Sequence, residues 1–198
     1  MPASAATLVS TGGAFAAPAA PTGSVTIDFN SAVAAPFTAT YVNAELATGS
    51  LGGFFGEPAF SDGSRYATVF GNGSIILQSA LAFNSISFYA GSIDPGNAID
   101  LLDASGTIFA SFGSADFLAQ AFGDTGEAVN NRRVTISIGE NDPQIAGVRF
   151  TSQTNSFELD NVVFAVPEVS TWALMLVGFG MIGTTTRYRR RKSTVAFS

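Results

Sequence analysis

Two residue types that carry much of protein chemistry are missing from this chain: its 198 residues include no histidine and no cysteine. A Ser-His-Asp or Cys-His nucleophile system is therefore excluded, and zinc loses its preferred nitrogen and sulfur ligands. Carboxylates remain. Glu57, Asp62, Asp100, Glu127 and Glu158 could supply the acid and base of a glycoside hydrolase if folding brought two of them together. Their spacing singles out no pair, and carboxylates in turns usually bond their own backbone, so no catalytic residue and no enzyme are expected. Asp28 and Asp160, near the first and last strand-like segments, offer the oxygen ligands that calcium takes, provided the terminal strands pair. A solvated or turn-capping aspartate is the simpler reading, and neither metal nor cofactor is expected. Gly71-Asn72-Gly73 lacks the lysine and helix that follow a phosphate loop and reads as a hairpin turn. Stacking is the last chemistry on offer: Tyr41, Tyr66, Tyr89 and Phe54-Phe55 could hold a sugar ring if exposed, while most of the 18 phenylalanines are expected in a core.

The elements that must position these groups are strands. Segments Ser24 to Asn30, Tyr66 to Phe70, Ser74 to Gln78, Ser85 to Ala90, Ala98 to Leu102, Thr107 to Phe112, Arg133 to Ile138, Ala146 to Thr151 and Phe157 to Phe164 are rich in β-branched and aromatic residues. Alternation is clearest where Val134, Ile136 and Ile138 interleave with Thr135 and Ser137, which predicts one buried face. Between the segments lie turn formers, among them Asp94-Pro95-Gly96-Asn97, Asp103-Ala104-Ser105-Gly106 and Gly139 to Pro143. Only Ala115 to Phe122 suggests a helical turn. Residues 23–165 thus read as an all-β domain, an antiparallel β-sandwich of jelly-roll type.

The final residues have a different physics. From Val169 to Thr186 there are 18 residues without a charge, roughly 27 Å as a helix, enough to cross a thin bilayer core. Apolar side chains surround the run on every side and leave no polar face for water. Trp172 stands where an interfacial aromatic anchors one end, and Arg187, Arg189, Arg190, Arg191 and Lys192 follow at the other. Such a basic cluster favours the cytoplasmic side, so a single C-terminal transmembrane helix is predicted, with everything before Pro167 outside.

Pro167 and Glu168, then Trp172-Ala173, Met175-Leu176, Gly178-Phe179-Gly180, Ile182-Gly183 and the arginine cluster, stand in the order of a known sorting signal. The stretch 166–192 resembles the PEP-CTERM signal of exported proteins in Gram-negative bacteria that possess an exosortase; Val169 departs from the pattern, which usually has a second proline there. The resemblance implies that an exosortase, a membrane-embedded enzyme, recognises Pro167, Glu168, Trp172 and Ala173, processes the tail near the motif, and relocates the ectodomain from a transient inner-membrane anchor to the cell surface or the medium. Residues 193–198 are a short tail beyond the signal. Two ectodomain stretches, Gly91 to Asn97 with Leu101 to Gly106, and Gly147 to Ser152 with Asn155 to Val162, also look like segments that recur in such surface proteins, and they imply a sandwich similar to carbohydrate modules.

Export implies a leader. Residues 1–22 supply an apolar, small-residue stretch, with Ala14-Phe15-Ala16 and Pro18-Ala19-Ala20 as cleavage contexts, but Met1 to Ser4 hold no basic residue; a start assigned too late or a truncated chain is the expectation. Five of the nine basic residues lie in the tail, leaving Arg65, Arg132, Arg133 and Arg149 against 15 acidic residues, a net −11. Such a surface excludes nucleic acid, whose phosphates need clustered basic side chains. The function expected is that of an exported surface or matrix protein, sorted by an exosortase and associated with exopolysaccharide. The alternatives are a secreted carbohydrate-binding module and, least, a glycan-active enzyme.

Overall fold

The computed structural model describes residues 6–16, 21–118, 126–139, 141–166, 179 and 181. The chain divides into two units, Met1–Val166 and Pro167–Ser198. Among the described residues no helix is long and apolar enough to cross a membrane. Pro167, Glu168, Trp172, Ala173, the apolar run apart from Phe179 and Met181, Arg187, Arg189, Arg190, Arg191 and Lys192 lie outside those residues.

The first unit is all-β and antiparallel. Among its described residues the strands are β1 (Thr7–Gly12), β2 (Val25–Ile27), β3 (Phe37–Ala47), β4 (Tyr66–Phe83), β5 (Ser85–Gly91), β6 (Ala98–Leu102), β7 (Ile108–Gly113), β8 (Arg132–Ser137), β9 (Ile145–Ser152) and β10 (Phe157–Ala165), with a helical turn, α1 (Ser114–Phe117). The strands join in one curled sheet of order β1-β8-β5-β10-β4-β9-β6-β7, with β2 beside β10 and β3 beside β4. Two strands let one sheet act as two layers. The first half of β4 pairs with β10 (Ala67 opposite Leu159), while its second half pairs with β9 (Leu77 opposite Val148). In turn, β10 passes from β4 to β2 across a bulge near Asn161. A strand that changes partners in this way turns a corner, so β5 and β10 come to face β9 and β6 across a shared interior.

The interior is aromatic. Phe88 of β5 meets Phe150 of β9 edge to face with centroids 5.1 Å apart, and Phe37, Phe83 and Phe164 form a second cluster with centroid separations of 4.4–5.6 Å. Alternation decides who enters. Val134 and Ile136 of β8 are fully buried in the core, and Thr135 between them turns outward to donate to the Ser87 hydroxyl at 3.0 Å. The period-2 reading of this strand is correct.

The structure departs from the sequence reading at three places. Tyr66 to Phe70 and Ser74 to Gln78 are one strand, since Gly71-Asn72-Gly73 makes a bulge and not a hairpin: Asn72 adopts φ 59° and β3 answers with its own register shift at Asn43. β3 itself carries no assignment in the sequence. Thr7 to Gly12, within the stretch read as a leader, forms β1 and pairs residue for residue with β8, Leu8 opposite Ile136.

Candidate functional site

Outside the core, the polar faces of β4, β10, β5 and β8 carry Tyr66, Thr68, Glu158, Asp160, Tyr89 and Arg133, all buried. Exposure of such a row is what alternation leads one to expect. Here the β3–β4 connection, residues 48–65, lies over much of it. Tyr66 and Tyr89, candidate stacking residues had they been exposed, are 1% and 0% exposed. They act as fasteners instead: the Tyr66 hydroxyl donates to the Gly49 carbonyl at 2.6 Å and the Tyr89 hydroxyl to the Ala59 carbonyl at 2.6 Å. Burial lifts the Tyr66 phenol above its ordinary value and pushes Tyr89 up to about 12, so both stay protonated donors. Asn131 completes the attachment, its side-chain oxygen accepting from Ala59 N–H at 3.0 Å and Ser92 N–H at 3.3 Å. Pro58 presses onto Gly91, where a side chain would come within 2.9 Å of the proline ring. Tyr41 is half-buried and packs against the core.

Near its start the connection folds a small loop of its own. Leu51 N–H donates to Phe55 carbonyl at 3.0 Å, and Gly53 supplies the positive φ of 81° that the turn needs. Consecutive aromatics then part company. Phe55 turns inward, its ring 6.5 Å from Tyr66 and 6.3 Å from Phe70, while Phe54 stands at the tip, 55% exposed.

Beneath this loop is an open cleft of about 320 Å³, lined by Ser50, Gly52 to Gly56, Ser92, Asp94, Asn155, Ser156 and Glu158. Its volume sits at the small end of the roughly 300–1,000 Å³ typical of ligand clefts. Glu158 is the floor. Its side chain has no solvent exposure, and three donors converge on it: the Ser92 hydroxyl at Oε2, the Ser156 hydroxyl at Oε1, and Gly56 N–H at Oε1, 3.1 Å away. Burial raises the Glu158 carboxyl above the usual range while those three hydrogen bonds and its own backbone N–H pull it back. Each wall is pinned by an amide. Asn97 accepts Asp94 N–H at 2.6 Å and donates to the Ser152 hydroxyl at 2.8 Å, fixing the β5–β6 turn; Asn155 accepts Gly71 N–H at 2.7 Å, fixing the β9–β10 turn to the β4 bulge.

The other candidate carboxylates have separate duties. Asp100 pairs with Arg149 at 2.7 Å and accepts the Ser111 hydroxyl at 2.6 Å; Glu57 accepts the Ser61 hydroxyl at 3.2 Å; Asp62 caps Ser64 N–H at 2.9 Å; Glu127 is exposed. Of the five, Glu158 is the one that lines the cleft. Asp94, Ser92, Asn155 and Ser156 were missed, because in sequence they are ordinary turn residues and only the docking of loop 48–65 makes them walls. Asp28 and Asp160 do approach through the β2–β10 pairing, and Asp28 and Asp62 both raise the Asp160 pKa. No group of three or more acidic side chains among the described residues is arranged to hold a metal ion.

No protein-family model matches the chain, and no curated protein matches it. Solved structures resemble it at a distance. A family 29 carbohydrate-binding module mutant complexed with mannohexaose is 12% identical, covering 71% of this chain and 89% of that one with a TM-score of 0.42. A family 6 carbohydrate-binding module is 9% identical over 72% and 94% with a TM-score of 0.42. A cyclase from Fischerella sp. TAU, in complex with 4-(1H-indol-3-yl)butan-2-one, is 18% identical over 74% and 87% with a TM-score of 0.43. Likeness at this level assigns no function.

Proposed function

We propose that the first unit is a glycan-holding module, using the cleft between Phe54 and Glu158. One observation carries the reading: an exposed aromatic ring stands at the mouth of a cleft whose floor is a rigidly held carboxylate. Sugars ask for that combination. The C–H face of a pyranose stacks on an aromatic ring, and its hydroxyls need fixed acceptors and donors close by. Glu158, buried and held by Ser92, Ser156 and Gly56, fixes the floor, and Asp94, half-buried in the wall, offers an acceptor for a ligand hydroxyl. The Asn155 amide and the Ser50 hydroxyl add polar groups at the rim.

The unit's place in the cell follows from the tail. The chain is proposed to be exported, with residues 166–192 serving as a PEP-CTERM signal whose span crosses the inner membrane until an exosortase processes it, leaving a jelly-roll-like ectodomain at the surface of a Gram-negative bacterium beside its exopolysaccharide. Support for this comes from the order of motif, apolar run and basic cluster in the sequence. A catalytic role is not part of the reading.

Affinity electrophoresis of the full chain, in mild detergent for the sake of its apolar tail, through gels containing soluble polysaccharides tests the proposal. Retardation should occur with at least one polysaccharide and be lost in Phe54→Ala, with no release of reducing ends. Equal migration of native chain and Phe54→Ala in every gel would refute it, and sugar release would place the cleft among hydrolases.

A further inference from the structure

The cleft has a charge character that narrows its ligand, given the glycan reading above. Among the described residues that line it, the two ionisable ones are carboxylates, Glu158 and Asp94, and none is basic. All four arginines ahead of the tail are engaged elsewhere: Arg149 with Asp100, Arg132 with the Ser10 hydroxyl and carbonyl, Arg65 with the Phe29 carbonyl, and Arg133 with the carbonyls of Ala14, Phe15 and Asn161.

The two carboxylates differ. Glu158 is compensated by its three donors. Asp94 is half-buried, and its carboxylate accepts no hydrogen bond from any described residue, its backbone N–H being the atom that Asn97 holds. Burial alone displaces its titration, upward. A half-buried carboxylate on the wall of an open cleft is an acceptor that a ligand's donors can reach in place of solvent. The partner of matching chemistry is a cation carrying several N–H donors. Uronates, sulfated sugars and phosphorylated sugars would meet like charge, which costs affinity.

We infer that the cleft takes a glycan bearing free amino groups, one ammonium seated against Asp94 while its ring lies on Phe54.

Calorimetric titration of the full chain in detergent, at a pH that keeps the amines protonated, separates the possibilities. The probes are a glucosamine tetramer, its fully N-acetylated counterpart and a glucuronate-containing tetramer. The glucosamine tetramer should bind about tenfold tighter than the acetylated one, and the glucuronate tetramer should not bind. In Asp94→Asn, which retains size and disturbs no hydrogen bond, the two glucosamine forms should become equal; circular dichroism confirms the variant's fold. Equal affinities in the native chain, or a preference that survives Asp94→Asn, would overturn the amine assignment and leave the glycan reading intact. Absence of binding by all three tetramers, together with ungraded migration in every polysaccharide gel, would remove the glycan reading and this inference with it.

Discussion

Asp160 shows how a residue's surroundings set its chemistry. It is 2% exposed, and burial first, then the charges of Asp62 and Asp28, push its pKa up to about 7, against the opposing pull of Asn161 N–H and Arg133. The folded state therefore keeps a proton that the unfolded chain, with an ordinary value of 3.8, releases earlier. Stability from this group is full below the unfolded value, falls as pH rises through the interval up to about 7, and is flat beyond it. Asp160→Asn should remove that fall. Urea unfolding across this range should show the variant's curve flattened and, at about pH 8, raised by roughly 1–3 kcal/mol; curves parallel to the native chain would refute the assignment. Arg133 nearby is lowered to about 10 by burial, partly offset by Asp160 and Tyr89, and so remains a cation at neutral pH while it lies over the Tyr89 ring at 5.7 Å. Neither environment can be read from sequence, where Asp160 is the second of two acidic residues in a largely apolar segment and Arg133 opens another.

At the scale of elements, β4 and β1 carry the lessons. β4 runs through Gly71-Asn72-Gly73 because Gly73 lets the bulged backbones of β3 and β4 touch: an added Cβ would overlap the Asn43 carbonyl oxygen and lie 2.9 Å from that of Val42. Gly73→Ala should cost about 2–4 kcal/mol in denaturant unfolding, since backbone atoms have nowhere to move. Turn residues thus marked the spot correctly and misnamed its geometry; a Gly-Asn-Gly serves a bulge as well as a hairpin, and only the partner strand decides. That partner was illegible. β3 alternates Thr38, Thr40 and Val42 with Ala39 and Tyr41, and its small alanines give little apolar contrast although they pack on the core. The strands whose buried face carries large side chains, β5, β8, β9 and β10, were legible to within a residue or two. β1 belongs with β8: Gly13 N–H donates to the Asn131 carbonyl at 2.8 Å, and the Phe15 ring meets Tyr89 at 5.2 Å. A domain cut at residues 6–166 should accordingly unfold at higher denaturant than one cut at 23–165, which uncovers the β8 edge and the Arg133 guanidinium. Identical midpoints would mean that β1 contributes nothing.

For the whole molecule, the fold separates two tasks. A sandwich-like interior holds the strands, while a connection of 18 residues, fastened by Tyr66, Tyr89 and Asn131, builds the cleft on one outer face. The cleft was half legible in the sequence. Phe54-Phe55 and Glu158 stood out as residue types, but nothing local says that Phe55 anchors and Phe54 presents, or that 100 residues of chain later Glu158 lies beneath them. Sorting is the task proposed for the tail. In cells with an exosortase, mass spectrometry of the mature protein should find no peptide spanning Trp172 to Lys192, because processing near Pro167-Glu168 removes it; an intact tail in the extracellular fraction would exclude that route. The claim that joins both tasks is that the exported unit holds glycan at Phe54. It is tested most directly by fluorine NMR of the chain labelled with fluorophenylalanine, its Phe54 resonance assigned by its loss in Phe54→Leu. On titration with a polysaccharide that retards the chain in gels, the Phe54 resonance should shift saturably while those of Phe88, Phe150 and Phe164 stay in place. A saturating polysaccharide that leaves Phe54 unmoved would contradict the account.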